Sequence, residues 1–272
     1  KKEAMDFLAF SNLIDKFKRV IFNVEIGANG ECTLLPNLKK YIQYLQKSKV
    51  FCLAETNFNC SKSVVKDMYE SGINMVDVGL DGVSQKSYSA SRKGGDFKTV
   101  YKNLIYLCGL KKKNKNIFPR IKWQFIVNKY NEGKVEKARK MAKEIGVDEF
   151  STNLSFVPGG DRYFFEDDQK TVEKLSKEFI PLDIKYAAKN KSVFLTCYQP
   201  FSEMHILSNG GVIPCCRLRE IGFELDNVFT SEIKDIWNND SFVFFRRQLT
   251  AQKKQPDCKT CANNVKRYNE RR

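Results

Sequence analysis

Over its first 155 residues the chain alternates short apolar runs with amphipathic stretches, and this alternation limits the fold more than any other feature. Phe7, Phe10, Leu13, Ile14 and Phe17 recur at helical spacing. Residues 20–26 then read as a strand, 38–45 as a helix opened by Pro36-Asn37, and 50–54 as a short buried strand. Residues 61–69 predict a helix capped by Ser61 and ended by Gly72. A strand at 73–80 leads into helices at 84–90 and 97–110, and the run Lys111-Lys112-Lys113-Asn114-Lys115 reads as a solvated loop. A strand at 121–127, a helix at 132–145 and a strand at 149–154 complete the series. Strand–helix units in tandem build an α/β fold on a parallel sheet, open or closed into a barrel.

The text changes after Pro158-Gly159-Gly160. Residues 1–158 are expected to form the sheet domain, 159–190 a charged helical linker, and 191–272 a small, irregular, Cys-rich domain. In that last part only 231–237 and 242–249 read as regular helices, and Asn209-Gly210-Gly211 reads as a hairpin-like turn.

Composition narrows the class. A chain of 272 residues can bury a core without disulfides. No apolar run reaches the roughly 18–20 residues that span a bilayer, and the start has no signal-peptide core, so a cytoplasmic protein with no membrane partner is expected. The single histidine, His205, excludes a multi-histidine metal site. Net charge is +15, but Lys supplies 35 of the 47 positive charges while Arg is scarce. That pattern reads as coding bias more than as a nucleic-acid footprint. Nine cysteines are many for a cytosolic chain and too thinly spread for a secreted disulfide scaffold, which points to metal ligation.

Four of the nine stand out. Cys258 and Cys261 form a C-x-x-C pair, which aims two thiolates at one metal from a single turn. Cys215, with Cys216 as its alternative, follows the Gly210-Gly211-Val212-Ile213-Pro214 turn, and Cys197 begins the same stretch. Four thiolates suit a tetrahedral zinc or an iron–sulfur cluster. Cys32, Cys52 and Cys108 lie in apolar or helical stretches and read as packing thiols, as does Cys60 beside the Thr56-Asn57 turn.

The segment from Cys197-Tyr198-Gln199-Pro200-Phe201 through Ile206–Cys216, Asp226-Asn227-Val228 and the Trp237 helix to Cys258-Lys259-Thr260-Cys261 resembles the SPASM/twitch module of radical S-adenosylmethionine enzymes. The resemblance implies one auxiliary [4Fe–4S] cluster held by Cys197, Cys215, Cys258 and Cys261. Residues 5–158 resemble the partial barrel of the same superfamily, here a (β/α)6 TIM-like barrel lacking its first strand. Asn29-Gly30-Glu31-Cys32 aligns with the family's Gly-Gly-Glu loop, and Thr56-Asn57 with the end of its next strand. Asp81-Gly82, Arg92 and Gln124 match its later strand-end positions, followed by Asn131-Glu132 at a helix start. The resemblance implies that Asn29, Gly30, Glu31, Asp81, Arg92 and Gln124 bind S-adenosylmethionine. It assigns Glu31 to the amino group and Arg92 to the methionine carboxylate. Gly79 stands where the family usually has Ser, which removes one expected hydrogen bond. Read singly, Glu31 is a strand-end charge, Asp81-Gly82 a turn, Arg92 a solvated helix end and Asn131 an N-cap.

The family's C-x-x-x-C-x-x-C loop is not among these residues. The catalytic [4Fe–4S] cluster and its strand are therefore expected upstream of Lys1. The resemblance implies a 5′-deoxyadenosyl radical, hydrogen abstraction from a sugar-like small molecule in an oxidation or epimerisation, and an electron donor of flavodoxin or ferredoxin type. The competing readings are a peptide-modifying maturase and a non-catalytic iron–sulfur or zinc module. No catalytic side chain is assigned, and Cys216 is the one candidate hydrogen donor.

Overall fold

The computed structural model describes residues 4–28, 30–154, 199–215 and 224–251. The chain divides into two units, Phe7–Asn153 and the remainder, each taken by itself below.

In the first unit, helix α1 (Phe7–Phe17) precedes strand β1 (Asn23–Ile26), and α2 (Leu38–Lys47) precedes β2 (Phe51–Thr56). Next come α3 (Lys62–Glu70), β3 (Met75–Gly79), α4 (Gln85–Ser89) and α5 (Phe97–Lys113). Strand β4 (Arg120–Val127), α6 (Val135–Ile145) and β5 (Glu149–Leu154) close the series. The strands form one parallel sheet in chain order, β1-β2-β3-β4-β5. This is the parallel sheet that the alternation predicts, and it is consistent with the partial barrel that the resemblance implies.

Burial alternates along the strands and gives the sheet two unlike faces. On one, Cys52, Ala54, Val76, Val78, Ile121, Trp123, Phe125 and Val127 are fully buried. The outer helices bury complementary rows, such as Leu38, Tyr41, Ile42 and Leu45 on α2 and Val100, Leu104 and Leu107 on α5. Polar groups in this layer are satisfied. Trp123 Nε1 donates to the Leu80 carbonyl at 2.7 Å, and Asn103 Nδ2 to the carbonyls of Phe58 and Cys60 at 3.1 and 2.9 Å. The other face is polar and half-buried, and carries Glu55, Lys122 and Gln124. Cys32, Cys52 and Cys108 are buried, as their apolar surroundings predict.

Several elements differ from the sequence reading. Helix α5 runs through Lys111–Lys113, which read as loop. Cations in a last helical turn offset the exposed carbonyl dipoles there, and Lys111 also pairs with Asp148 at 2.6 Å. Strand β1 starts only at Asn23; Val20 and Phe22 are 72% and 80% exposed. Ser61 stands at the start of α3 without capping it, because its hydroxyl pairs with that of Ser63 at 2.7 Å. The helix expected from Glu132 opens with a 3₁₀ turn, Glu132–Lys134. The expected linker helix, Asn29, Cys197, Cys216, Cys258 and Cys261 lie outside the described residues.

In the second unit, α7 (Gln199–Ser202) leads to a three-stranded antiparallel sheet of β6 (His205–Ile206), β7 (Gly211–Ile213) and β8 (Asp226–Asn227). The Asn209-Gly210 turn joins β6 to β7 as the expected hairpin. Helices α8 (Ile233–Asn238) and α9 (Asp240–Thr250) follow. The Arg246 guanidinium lies 4.1 Å from the Trp237 ring centre and 3.9 Å from that of Phe242. It donates to the carbonyls of Pro200 and Trp237 at 2.7 and 2.6 Å.

Candidate functional site at the carboxyl ends of the strands

A parallel sheet brings the carboxyl ends of its strands to one edge, so the loops after β1 to β4 meet there. The loop after β1 turns at Gly27, whose φ of +100° is left-handed. A Cβ there would also collide with the Glu55 carbonyl oxygen. Glu31 then caps the 3₁₀ turn Cys32–Leu34. Its Oε1 accepts from Thr33 N at 3.0 Å, Thr33 Oγ1 at 2.6 Å and Thr56 Oγ1 at 2.6 Å. Its Oε2 accepts from Asn57 N at 2.7 Å. The carboxylate is thus no loose strand-end charge, because it ties the β1 loop to the end of β2. Gly30, next to it, is exposed and donates its N–H to the Gly27 carbonyl at 3.0 Å.

Asp81, only 2% exposed, does the same for β3 and β4. Oδ1 accepts from Ile126 N at 2.7 Å and Oδ2 from Arg92 Nε at 2.6 Å. Burial pushes this carboxyl upward, while the Arg92 guanidinium and the Ile126 N–H pull it back. The net direction is upward, while the two donors, one on each oxygen, favour the ionised form. Burial works against the Arg92 charge, but Asp81 outweighs it and lifts Arg92 above its ordinary value. Among the described residues the Arg92 Nη groups have no hydrogen-bond partner, and the side chain is a third exposed. Asn131 is more than an N-cap: its amide donates to the Asp81 and Ile126 carbonyls at 2.9 and 2.8 Å, locking the β3 loop to the end of β4. Gln124 sits on β4 in register with Gly79 of β3, half-buried on the polar face.

The structure therefore brings Gly30, Glu31, Asp81, Arg92 and Gln124 to one sheet edge. It adds groups that the sequence did not single out. Asp77 on β3 receives Lys122 Nζ from β4 at 2.7 Å, and Glu55 on β2 is in register with Asp77. Burial, and then the Asp77 charge, push the Glu55 carboxyl upward. The only local signal for this row was a charged residue inside each of three apolar strands. Burial raises the thiol of Cys52, inside β2, to about 12 and that of Cys60, in the loop after β2, to about 11.

Of the four expected cluster ligands only Cys215 is described; it follows β7 and packs against Phe245 and Leu249 of α9. Among the described residues no group of three His, Cys, Asp or Glu side chains is placed to hold a metal. Nor is any helix there long and apolar enough to cross a membrane.

Comparison with known families matches residues 197–262 to the SPASM iron–sulfur cluster-binding domain. Curated protein sequences give no match. Among solved structures, Streptococcus suis SuiB is 16% identical, with a TM-score of 0.64 over 93% of this chain and 65% of its own. BtrN in complex with AdoMet and 2-DOIA is 17% identical, with a TM-score of 0.56 over 96% of this chain and 81% of its own. Native anSMEcpe with bound AdoMet is 14% identical, with a TM-score of 0.63 over 98% of this chain and 86% of its own. The chain thus spans 65% of the length of SuiB.

The fold is a partial α/β barrel, and it is followed by a segment similar to an iron–sulfur cluster-binding domain. The fold of this chain is like that of these three solved structures, and residues 197–262 match the SPASM family, in line with the sequence resemblance.

Proposed function

We propose that the carboxyl-terminal sheet edge binds S-adenosylmethionine, and that the whole protein uses it for hydrogen abstraction from a substrate held over the polar face. The observation that carries this reading is Arg92. Its guanidinium is anchored to buried Asp81 by Nε, with both Nη groups left to a ligand, and Gln124 stands across the strand pair. A guanidinium held this way suits an acceptor such as a carboxylate. Glu31 is fully engaged by Thr33, Thr56 and Asn57, so it acts by tying the loop after β1 to the end of β2 and supplying negative potential toward an ammonium.

Cys197, Cys215, Cys258 and Cys261 are the ligands of an auxiliary cluster. The described part fits: Cys215 directly follows the β6–β7 hairpin and packs on an apolar helix face, which keeps water from one side of it. When bound, a catalytic cluster distinct from this auxiliary one would supply the electron and S-adenosylmethionine the 5′-deoxyadenosyl group, while this chain's residues supply orientation and exclusion of water.

The substrate is a small molecule of sugar-like character. A second reading, modification of a peptide, is supported by solved structures of SuiB bound to precursor peptide SuiA and of anSMEcpe with the Cp18Cys peptide. A flavodoxin- or ferredoxin-type donor and a cytoplasmic location complete the reading. Titration of the anaerobically prepared protein with S-adenosylmethionine tests it. Saturable binding weakened about tenfold or more by Arg92→Ala is expected, since one charge-assisted contact is worth that much. No saturable binding to cluster-loaded protein would leave only the iron–sulfur module.

A further inference from the structure

The last residue of β3, Gly79, lies against Arg92, a side chain at this edge with donors to spare. A Cβ built on Gly79 would lie 2.9 Å from Arg92 Nη2 and 3.6 Å from its guanidinium carbon, with the Thr56 carbonyl 3.8 Å away. The guanidinium therefore lies directly over the glycine α-carbon. The far end of a long side chain ordinarily yields to such a contact at little cost. Here it cannot swing away freely. Nε is fixed to Asp81 Oδ2 at 2.6 Å, and Asp81 is in turn fixed by Ile126 N at 2.7 Å. The Arg92 backbone is also held, its N–H donating to the Tyr88 carbonyl at 2.9 Å and its carbonyl accepting from Gly95 N at 3.1 Å. Gly79 has no left-handed φ, so the backbone itself admits alanine or serine.

We propose that Gly79 is a positioning residue: the space over its α-carbon is the slot for the Arg92 guanidinium, so that Arg92 Nη groups, in place of a side chain at 79, donate to the ligand's acceptor oxygens. The missing side chain and the arginine form one unit with Asp81. The ligand half of this inference rests on the reading of the sheet edge as the S-adenosylmethionine site; the slot itself does not.

A double-mutant cycle on the anaerobically prepared protein separates the two. Without Arg92 over it, a strand Gly→Ala replacement is neutral or mildly stabilising, because it restricts the unfolded chain. With Arg92 present, Gly79→Ala should lower the unfolding midpoint by a few degrees, whereas in an Arg92→Ala background it should leave the midpoint unchanged or raise it. S-adenosylmethionine affinity should fall about tenfold for Gly79→Ala alone and no further when Gly79→Ala is added to Arg92→Ala. Gly79→Ala should also cost less beside Arg92→Lys, whose slimmer ammonium vacates the slot. Equal effects of Gly79→Ala in both backgrounds, on midpoint or affinity, would overturn the proposal. If the parent binds S-adenosylmethionine but the midpoints show no coupling, the slot fails and the function stands. If the midpoints couple but the parent does not bind, the slot stands and the donor role falls with the function.

Discussion

Replacing Asp81 with Asn keeps the volume of the side chain and one acceptor while deleting its charge. The Ile126 N–H retains a partner, so the loss falls on the 2.6 Å bond from Arg92 Nε. Removing one partner of a fully buried pair costs about 3–5 kcal/mol. Arg92 is a third exposed, so solvent recovers part of that, and about 2 kcal/mol is the expected loss. For a domain of this size that corresponds to a midpoint lowered by about 4–8 °C. Trp123 reports the change directly, because it is buried beneath the same loop and donates to the Leu80 carbonyl at 2.7 Å. Its fluorescence is isolated by Trp237→Phe and followed through thermal unfolding. A drop near the expected value, shrinking when Arg92→Gln is already present, supports the pairing. A change within about 0.5 kcal/mol, typical of a surface substitution, would refute the reasoning.

Other outcomes follow from the same geometry. Gly27→Ala combines a left-handed φ of +100° with a collision at the Glu55 carbonyl, and should cost more than about 1 kcal/mol in urea unfolding; a neutral result would mean the turn relaxes freely. Glu55 is pushed above its ordinary 4.5 by burial and then by Asp77. The native state therefore loses stability relative to the unfolded chain as pH rises from about 4.5 through the raised value. The Glu55→Gln midpoint should gain on the parent over that range and level off above it, and a pH-independent difference would contradict the burial. Cys258→Ser should lower iron and sulfide content together in anaerobically prepared protein, while unchanged content would remove Cys258 from the ligand set.

Much of the sheet domain was legible because strand–helix periodicity is local. Every strand from β1 to β5 and the helices between them fall where apolar spacing places them, within a few residues. The errors came where tertiary forces decide. The lysines closing α5 are polar enough to read as loop, yet their charges suit a helix carboxyl terminus. Val20 and Phe22 have strand propensity, yet pairing with β2 begins only at Asn23 and Phe51. At the site, Asp81 and Arg92 were legible through family resemblance. The anchoring of Glu31 by Thr56 and Asn57, some 25 residues away, was not. Nor was the Glu55, Asp77 and Lys122 row, which exists only once parallel register aligns three strands. Gly79 read as the loss of a hydrogen bond; its close approach to Arg92 became visible only in three dimensions.

In the proposed function this fold directs S-adenosylmethionine to radical chemistry at the sheet edge. Its most direct measurement is 5′-deoxyadenosine formation by the full-length protein, loaded with iron and sulfide under nitrogen and given S-adenosylmethionine and dithionite. Product that requires reductant and falls at least tenfold with Arg92→Ala, the loss of one charge-assisted contact, is expected. Protein that carries its clusters and binds S-adenosylmethionine, yet forms no 5′-deoxyadenosine, would contradict it.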